Sequence, residues 1–248
     1  MNKKYRRYSM KNIFTLLALL SVTLFAQTNF SPIKTTILAL GKNSVIVKNS
    51  TNIAIGATGV IMQSFEEGHK TIIANAEVIK KEGDSLTLKV SRFDAIPQQA
   101  LPNYDIAPKV GDEVILNFLY TRAMAVVPDA QTYKVITKSY DSLVWIHPDI
   151  FATELAKSYN PTPTKETFQE ECIAQNVGLL LFAIEGKGHF VDCKSFATLN
   201  TIELPVATSA KSPFYSRLEA IKGRIFGLFG GKGVADYDTF YTKLLEDK

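Results

Sequence analysis

Three histidines and two cysteines are the residues with which this chain could bind a metal or carry out nucleophilic chemistry. His69, His147 and His189 are too scattered to form the two-histidine pattern of a metal-binding helix face. Cys172 and Cys193 could form a disulfide, bind a metal or supply a nucleophile beside His189. A single pair in an oxidising compartment is more often a disulfide, so we predict a Cys172–Cys193 bond and no metal site.

His147 is the one histidine placed where an α/β fold positions its ligands. The stretch Trp145-Ile146-His147-Pro148-Asp149 follows a short apolar run, and such folds bind ligands at the carboxyl ends of their strands. A histidine that caps a helix or forms a structural hydrogen bond is the commoner alternative, and we expect that role here.

The glycine-rich stretch Gly227–Gly233, GLFGGKG, is similar to a phosphate-binding loop but lacks two of its requirements. A P-loop has a glycine separated by four residues from its Gly-Lys pair, and a serine or threonine after the lysine. This chain has Phe226 and Gly233 at those positions. It also has no Gly-x-Ser-x-Gly element, so we predict no enzymatic activity and no cofactor.

Residues 1–26 have the layout of a signal peptide. Five basic residues precede an apolar run from Ile13 to Ala26, and the chain then becomes polar at Gln27. A permanent membrane span needs about 20 apolar residues, whereas this run is shorter and is interrupted by polar side chains. We therefore predict cleavage after Ala26 and export to the periplasm, the outer membrane or the cell surface.

Removal of residues 1–26 would change the charge of the protein. The formal charge is +4, and loss of the five basic residues of the leader brings it to −1. The basic character therefore belongs to the leader, and it gives no support to nucleic-acid binding by the mature chain. The remaining length suits two small domains.

Residues 33–120 alternate short β-rich runs with turn residues, which predicts a small β-barrel-like domain. The predicted strands are Thr35–Leu40, Ser44–Lys48, Gly59–Phe65, Thr71–Ile79, Leu86–Val90 and a final strand from Glu113 to Tyr120. Barrels of this kind bind peptides, nucleic acids or sugars, or serve as spacers, and the fold alone does not decide among these roles. We expect a spacer or an interaction module.

Residues 121–204 alternate strands and helices, which predicts a three-layer α/β domain and hence a mixed α+β fold for the whole chain. Asp129 is expected to cap the first helix, and Thr162 is expected to cap a later one. The apolar run Gly178–Ile184 predicts a strand covered on both sides. His189–Cys193 and Phe196–Ile202 are expected to add antiparallel strands.

Residues 205–248 predict an amphipathic helical tail. Ser212 can cap a helix whose apolar stripe runs from Phe214 to Phe229, and Asp236 can cap a last helix. The first stripe could make a peripheral contact with a membrane surface, although docking against the domain is the commoner use of such a stripe.

Five separated blocks of sequence carry a family resemblance. They are Gly56–Val60, Ser64-Phe65 with Thr71–Ala74, Gly111–Asn117, Trp145–Asp149 and Gly178–Leu180. Together, between Ile33 and Leu204, they resemble the amino-terminal domain of plasminogen-binding surface proteins of the Helicobacter and Campylobacter group. The resemblance implies a non-enzymatic envelope or surface protein, an adhesin that binds host plasminogen.

In that family, plasminogen binding is attributed to lysines at the carboxyl terminus, beyond the shared domain. This chain offers Lys243 and the terminal Lys248 in place of a long lysine-rich tail. A kringle lysine site recognises an ammonium and a carboxylate joined by an alkyl stem, and a carboxyl-terminal lysine carries both charges. The resemblance therefore implies Lys248 and Lys243 as binding residues. The alternative is a periplasmic scaffolding or interaction module whose partner is a bacterial envelope protein.

Overall fold

The structure is a computed structural model that describes residues 30–49, 53–65, 68–93, 106–221, 223 and 233–246. The predicted signal peptide, the end of the predicted apolar stripe and Lys248 lie outside these residues. So does the glycine-rich stretch, apart from Gly233. Within the described ranges, no helix is long and apolar enough to cross a membrane.

Six antiparallel strands form a closed β-barrel in the order β1-β2-β5-β4-β3-β6. The strands are β1 (Ile33–Leu40), β2 (Ser44–Lys48), β3 (Thr58–Ser64), β4 (Lys70–Glu82), β5 (Ser85–Arg92) and β6 (Glu113–Leu116). Alternate side chains point inward: Val45 and Val47 are buried, while Ile46 between them is exposed. Apolar side chains from all six strands fill the interior, so the predicted small barrel is confirmed.

The last barrel strand is shorter than predicted. It was expected to reach Tyr120, but it ends at Leu116 because Asn117 and Leu119 have positive φ angles of 56° and 64°. Asparagine tolerates this left-handed conformation, and the Asn117 side chain donates a hydrogen bond to the carbonyl of Ser31. The resulting turn leads the chain into the second sheet and buries Tyr120.

A second sheet has five strands in the order β11-β10-β9-β7-β8. The strands are β7 (Arg122–Val126), β8 (Val144–Ile146), β9 (Leu179–Ile184), β10 (Lys187–Asp192) and β11 (Thr198–Glu203). β8, β7 and β9 are parallel, whereas β10 and β11 extend the sheet antiparallel to them. The antiparallel addition agrees with the prediction.

Helices connect the parallel strands of this sheet, and they are α1 (Ala130–Ser139), α2 (Asp149–Lys157) and α3 (Lys165–Gln175). Both faces of the sheet carry buried side chains. Met124 and Phe182 belong to a core that includes residues of α2 and α3, while Ala123 and Leu181 belong to a core that includes Ile136 of α1. The mixed α+β class is confirmed, and the three-layer α/β domain stays a prediction.

One of the two predicted helix caps in this part of the chain is correct. Asp129 caps α1, and its carboxylate accepts a hydrogen bond from the backbone N–H three residues later at 2.7 Å. The prediction for Thr162 is wrong, because its N–H donates to the Asn160 side chain and it belongs to the preceding turn. Thr164 caps α3 instead, accepting from the N–H of Thr167 at 3.3 Å.

The helix predicted to start at Ser212 is wrong over its described part, since residues 211–221 contain no helix. Their backbone groups bond to another element: the N–H groups of Lys211 and Tyr215 donate to carbonyls just after β7, at 2.9 and 2.7 Å. Phe214 between them is buried and stacks on Phe151, with ring centroids 5.4 Å apart. We call residues 211–217 the crossing segment.

The last predicted helix is present as α4 (Tyr237–Glu246). Asp236 caps it as predicted, accepting from the N–H of Thr239 at 2.7 Å. Tyr237 and Tyr241 are buried, and their hydroxyls donate to carbonyls of β7 and of the crossing segment at 2.8 and 2.9 Å. These bonds fix α4 against the sheet.

Candidate functional site

His147 lies at the carboxyl end of β8, as the sequence predicted, and its ring makes structural contacts. The backbone N–H of Asp149, in the first turn of α2, donates to His147 Nδ1 at 3.2 Å. Burial lowers the pKa of His147 below its ordinary value of 6.5, although the nearby Asp149 carboxylate opposes this change. His147 Nδ1 also lies 3.2 Å from Asp149 Oδ1. These contacts fit a structural hydrogen-bonding role, while Pro148, not His147, is the N-cap residue of α2.

Asp149 ties the crossing segment to the start of α2. Its carboxylate accepts from the backbone N–H of Arg217 at 2.8 Å and from Arg217 Nε at 2.6 Å. Burial raises the pKa of Asp149, but these two hydrogen bonds outweigh burial and hold the pKa below its usual value. The rings of Tyr133 and Tyr215 pack beside His147, with centroids 5.0 and 6.3 Å away. The charged Asp149 carboxylate therefore links the start of α2 to the crossing segment.

Groups of this chain bond to the carboxyl ends of the parallel strands, where α/β folds usually bind ligands. A cavity of about 220 Å³ remains beside them, lined by Pro128, Thr132, Glu185 and Asp238. β7 lies between its parallel neighbours β8 and β9, and ligands bind outside the carboxyl ends of strands at such a switch point. The N–H of Tyr215 and the hydroxyl of Tyr237 bond to the carboxyl end of β7. Asp238 of α4 accepts from the N–H of Glu185, directly after β9, at 3.0 Å. The ends of the parallel strands thus contact the crossing segment, α4 or the hydrogen-bonded His147.

Asp192, at the end of β10, joins the barrel to the second sheet. It is fully buried, and Oδ2 accepts from the Thr58 hydroxyl and the Tyr120 hydroxyl, both at 2.6 Å. The backbone N–H of Thr58 also points at Oδ2, at 3.3 Å. Oδ1 accepts from the N–H groups of Lys194 and Ser195 at 2.8 and 2.6 Å. Sequence reasoning missed this network, and its one sequence signal is an aspartate ending an apolar strand.

Two glycines of the resemblance blocks lie at the same junction. Gly56 has φ of +86°, and a Cβ there would lie 2.3 Å from the Ala197 side chain. A Cβ on Gly178 would lie 2.6 Å from the carbonyl carbon of Leu119. Real Cβ atoms do not approach other atoms so closely, so both positions need glycine for the barrel and the second sheet to meet.

A cavity of about 400 Å³ opens beside this junction, between the barrel and α3. Its apolar side is formed by Phe118, Leu119, Ile173 and the paired cysteines, and its polar side by residues of β4 and β5. The size falls within the usual range for small-molecule pockets. The charged groups that line the cavity have mixed signs, Glu77 with Lys89 and Lys194, so the lining selects no single class of ligand.

The predicted disulfide is present. Cys172 on α3 is bonded to Cys193, in the turn after β10, with Cα atoms 6.0 Å apart. A thiol nucleophile beside His189 is therefore not available in this form, and the His189 ring lies near the Thr201 hydroxyl, at 3.3 Å. In the described ranges no three His, Cys, Asp or Glu side chains form a metal-binding group.

Lys243 is the predicted plasminogen-binding residue that the structure describes. It is exposed in the last turn of α4, on the opposite side from the buried Tyr241. Lys248 lies outside the described residues. Lys243 is far in sequence from His147 and the cavity residues, and none of the contacts described above uses its side chain.

Comparison with known proteins supports the resemblance. Residues 32–245 match the family described as plasminogen-binding protein pgbA N-terminal. The plasminogen-binding protein PgbA of Helicobacter pylori strain J99 is 23% identical over 198 residues, covering 79% of this chain and 43% of the relative. The protein of the same name from strain 26695 matches to the same extent. This chain therefore spans less than half the length of these relatives, and it belongs to the family of PgbA amino-terminal regions.

Proposed function

We propose that this protein is an exported envelope or surface protein that binds host plasminogen without catalysing a reaction. The observation that carries the proposal is the family match over residues 32–245, because the relatives it includes are named for plasminogen binding.

The chemistry assigned to Lys248 and Lys243 suits a lysine-binding partner. Kringle lysine sites recognise an ammonium together with a carboxylate. Lys243 adds a second ammonium on α4, which is held in place by its buried tyrosines. Because α4 is anchored, binding through Lys243 has to order little beyond the side chain of that residue.

Export is part of this proposal and rests on the basic and apolar layout of residues 1–26. Mass spectrometry of protein purified from its native cells should show a chain beginning at Gln27. An intact leader on the native protein would contradict export by cleavage. Protease treatment of whole cells should then remove a surface-exposed protein. A protein that is spared belongs on the periplasmic side, where the scaffolding alternative applies.

Plasminogen binding is tested directly with the purified mature chain. It should bind immobilised human plasminogen, and the lysine analogue 6-aminohexanoic acid should displace it. Removal of Lys248 and substitution Lys243→Ala should each weaken binding. Lys157→Ala is a matched control, because Lys157 is an exposed helical lysine paired with Glu154 at 2.6 Å. Absence of binding by the intact mature chain would overturn the proposal.

A further inference from the structure

We propose that α4 carries an internal mimic of a free lysine, in which Lys243 supplies the ammonium and Glu246 supplies the carboxylate. The inference rests on the proposed plasminogen binding and adds a site that does not depend on the end of the chain. Its partner is a lysine-binding site of the kringle type.

The two charges lie on one exposed face of α4. Thr239, Lys243 and Glu246 are all exposed, and their spacing of four and three residues places them along the same side of the helix. Residues three apart on a helix have Cβ atoms about 5–6 Å apart. Flexible stems can therefore hold the ammonium and the carboxylate at the separation found within one extended lysine.

Lys243 and Glu246 do not neutralise each other. In the described part of the chain neither of them takes part in an ion pair, whereas Lys157 and Glu154, also three residues apart, are joined at 2.6 Å. The order of the charges also differs between the two pairs. Lysine precedes glutamate on α4, while glutamate precedes lysine on α2, the order that favours ion pairing on a helix. The α4 pair is therefore free to contact a partner.

The rest of α4 holds this pair in position. The Asp236 cap fixes the first turn, and the buried Tyr237 and Tyr241 hydroxyls bond to carbonyls at 2.8 and 2.9 Å. These two tyrosines are two and six residues before Lys243, on the buried side of the helix. A partner thus meets two charges on a fixed helix, so association orders only two side chains.

The carboxylate of Glu246 gives the internal lysine the recognition feature that it otherwise lacks. An internal lysine presents only an ammonium, because its own carboxyl group is part of a peptide bond. A binding site that pairs with both charges has a cationic group for the carboxylate of its ligand. That group stays unpaired when the ligand is a lysine without a carboxylate beside it. Losing one partner of a charge pair enclosed at an interface weakens binding by about tenfold or more.

The test uses the mature chain lacking Lys248, so that no terminal lysine remains. This shortened chain should bind immobilised human plasminogen and be displaced by 6-aminohexanoic acid. Lys243→Ala and Glu246→Gln should each weaken its binding by about tenfold or more, while Lys157→Ala should leave binding unchanged. Circular dichroism should show the same fold for every variant, because all three side chains are exposed.

The outcomes separate this inference from the proposed function. Binding by the complete mature chain but not by the shortened chain would overturn the internal site and leave plasminogen binding intact. Equal binding by the shortened chain and its Glu246→Gln variant would also overturn it. No binding by the complete mature chain would overturn the proposed function, and the internal site with it.

Discussion

Replacement of Asp192 by alanine should lower the stability of the fold by removing the hydrogen bonds that join the barrel to the second sheet. The carboxylate is fully buried and accepts hydrogen bonds from Thr58 of the barrel, from Tyr120 and from the turn after β10. No other described side chain bonds to both Thr58 and Tyr120. The substitution therefore removes the acceptor shared by the two parts of the fold.

The magnitude follows from which donors lose their acceptor. The N–H groups of Lys194 and Ser195 belong to a partly exposed turn, where water can replace the carboxylate. The hydroxyls of Thr58 and Tyr120 are buried, and a buried donor without a partner costs about 1–3 kcal/mol. We therefore expect Asp192→Ala to lower the free energy of unfolding by about 3–5 kcal/mol.

The isosteric variant Asp192→Asn should cost less. It keeps Oδ1 for the turn, but the amide that replaces Oδ2 cannot accept from the Thr58 N–H or from either hydroxyl, so both hydroxyls have to rotate to accept from it. The loss includes the charge-assisted part of the hydrogen bonds, about 1–2 kcal/mol. The expected order of stability is therefore wild type, then asparagine, then alanine.

Urea unfolding measures both variants. The fluorescence of Trp145, the single tryptophan, reports on the second sheet, and far-ultraviolet circular dichroism reports on the whole fold. Asp141→Ala is the control, because Asp141 is exposed. A double-mutant cycle with Thr58→Val should show coupling above about 1 kcal/mol. An alanine variant within about 1 kcal/mol of wild type, or no coupling, would refute the structural role of Asp192.

Three further predictions concern the second sheet and its attachments. Replacing Cys172 and Cys193 together by serine should lower the free energy of unfolding by about 3 kcal/mol in urea, because the bond closes a loop with a sequence separation of 21; equal midpoints would contradict this. Burial lowers the pKa of His147 below 6.5, so the stability that the neutral ring contributes is complete above pH 6.5 and is lost as the pH falls through the lowered pKa. His147→Gln should make the free energy of unfolding less dependent on pH in this range. An unchanged pH profile of unfolding would contradict this role of His147. Phe214→Ala should lower the free energy of unfolding by about 3–5 kcal/mol, because the ring is buried. Arg217→Ala should lower it by less than about 1 kcal/mol, because the arginine side chain is 67% exposed. A larger loss of stability for the arginine variant in urea unfolding would contradict this ranking.

The features that the sequence predicted correctly depend on neighbouring residues. Asp236 and the stripe that starts at Tyr237 lie within one helix, so a cap and a repeat were enough to place α4. Turn residues between alternating runs located the barrel strands in the same way. The Cys172–Cys193 bond was predicted from the cysteine count and the expected compartment rather than from geometry.

The features that the sequence did not predict depend on distant residues. Thr58 and Asp192 are 134 positions apart, and no local pattern marks either of them as a hydrogen-bonding partner. The crossing segment has the apolar spacing of a helix, but the backbone donors at Lys211 and Tyr215 bond to the chain after β7 instead. Tertiary hydrogen bonds thus override the local periodicity there, and only the assembled sheet shows it.

Three of the five blocks that carry the family resemblance are explained by folding rather than by binding. Gly56, Thr58 and Gly178 let the barrel meet the second sheet, and the block from Trp145 to Asp149 caps β8 and anchors the crossing segment. A relative can therefore share these blocks because it has the same contacts between the parts of its fold, even when its binding residues differ. Residues that carry the proposed plasminogen binding are then expected on surfaces that take no part in these structural contacts. The exposed face of α4 with Lys243 and Glu246 is one such surface among those that the structure describes, because the contacts that hold α4 in place lie on its other side. The proposed lysine-binding partner is therefore assigned to this face.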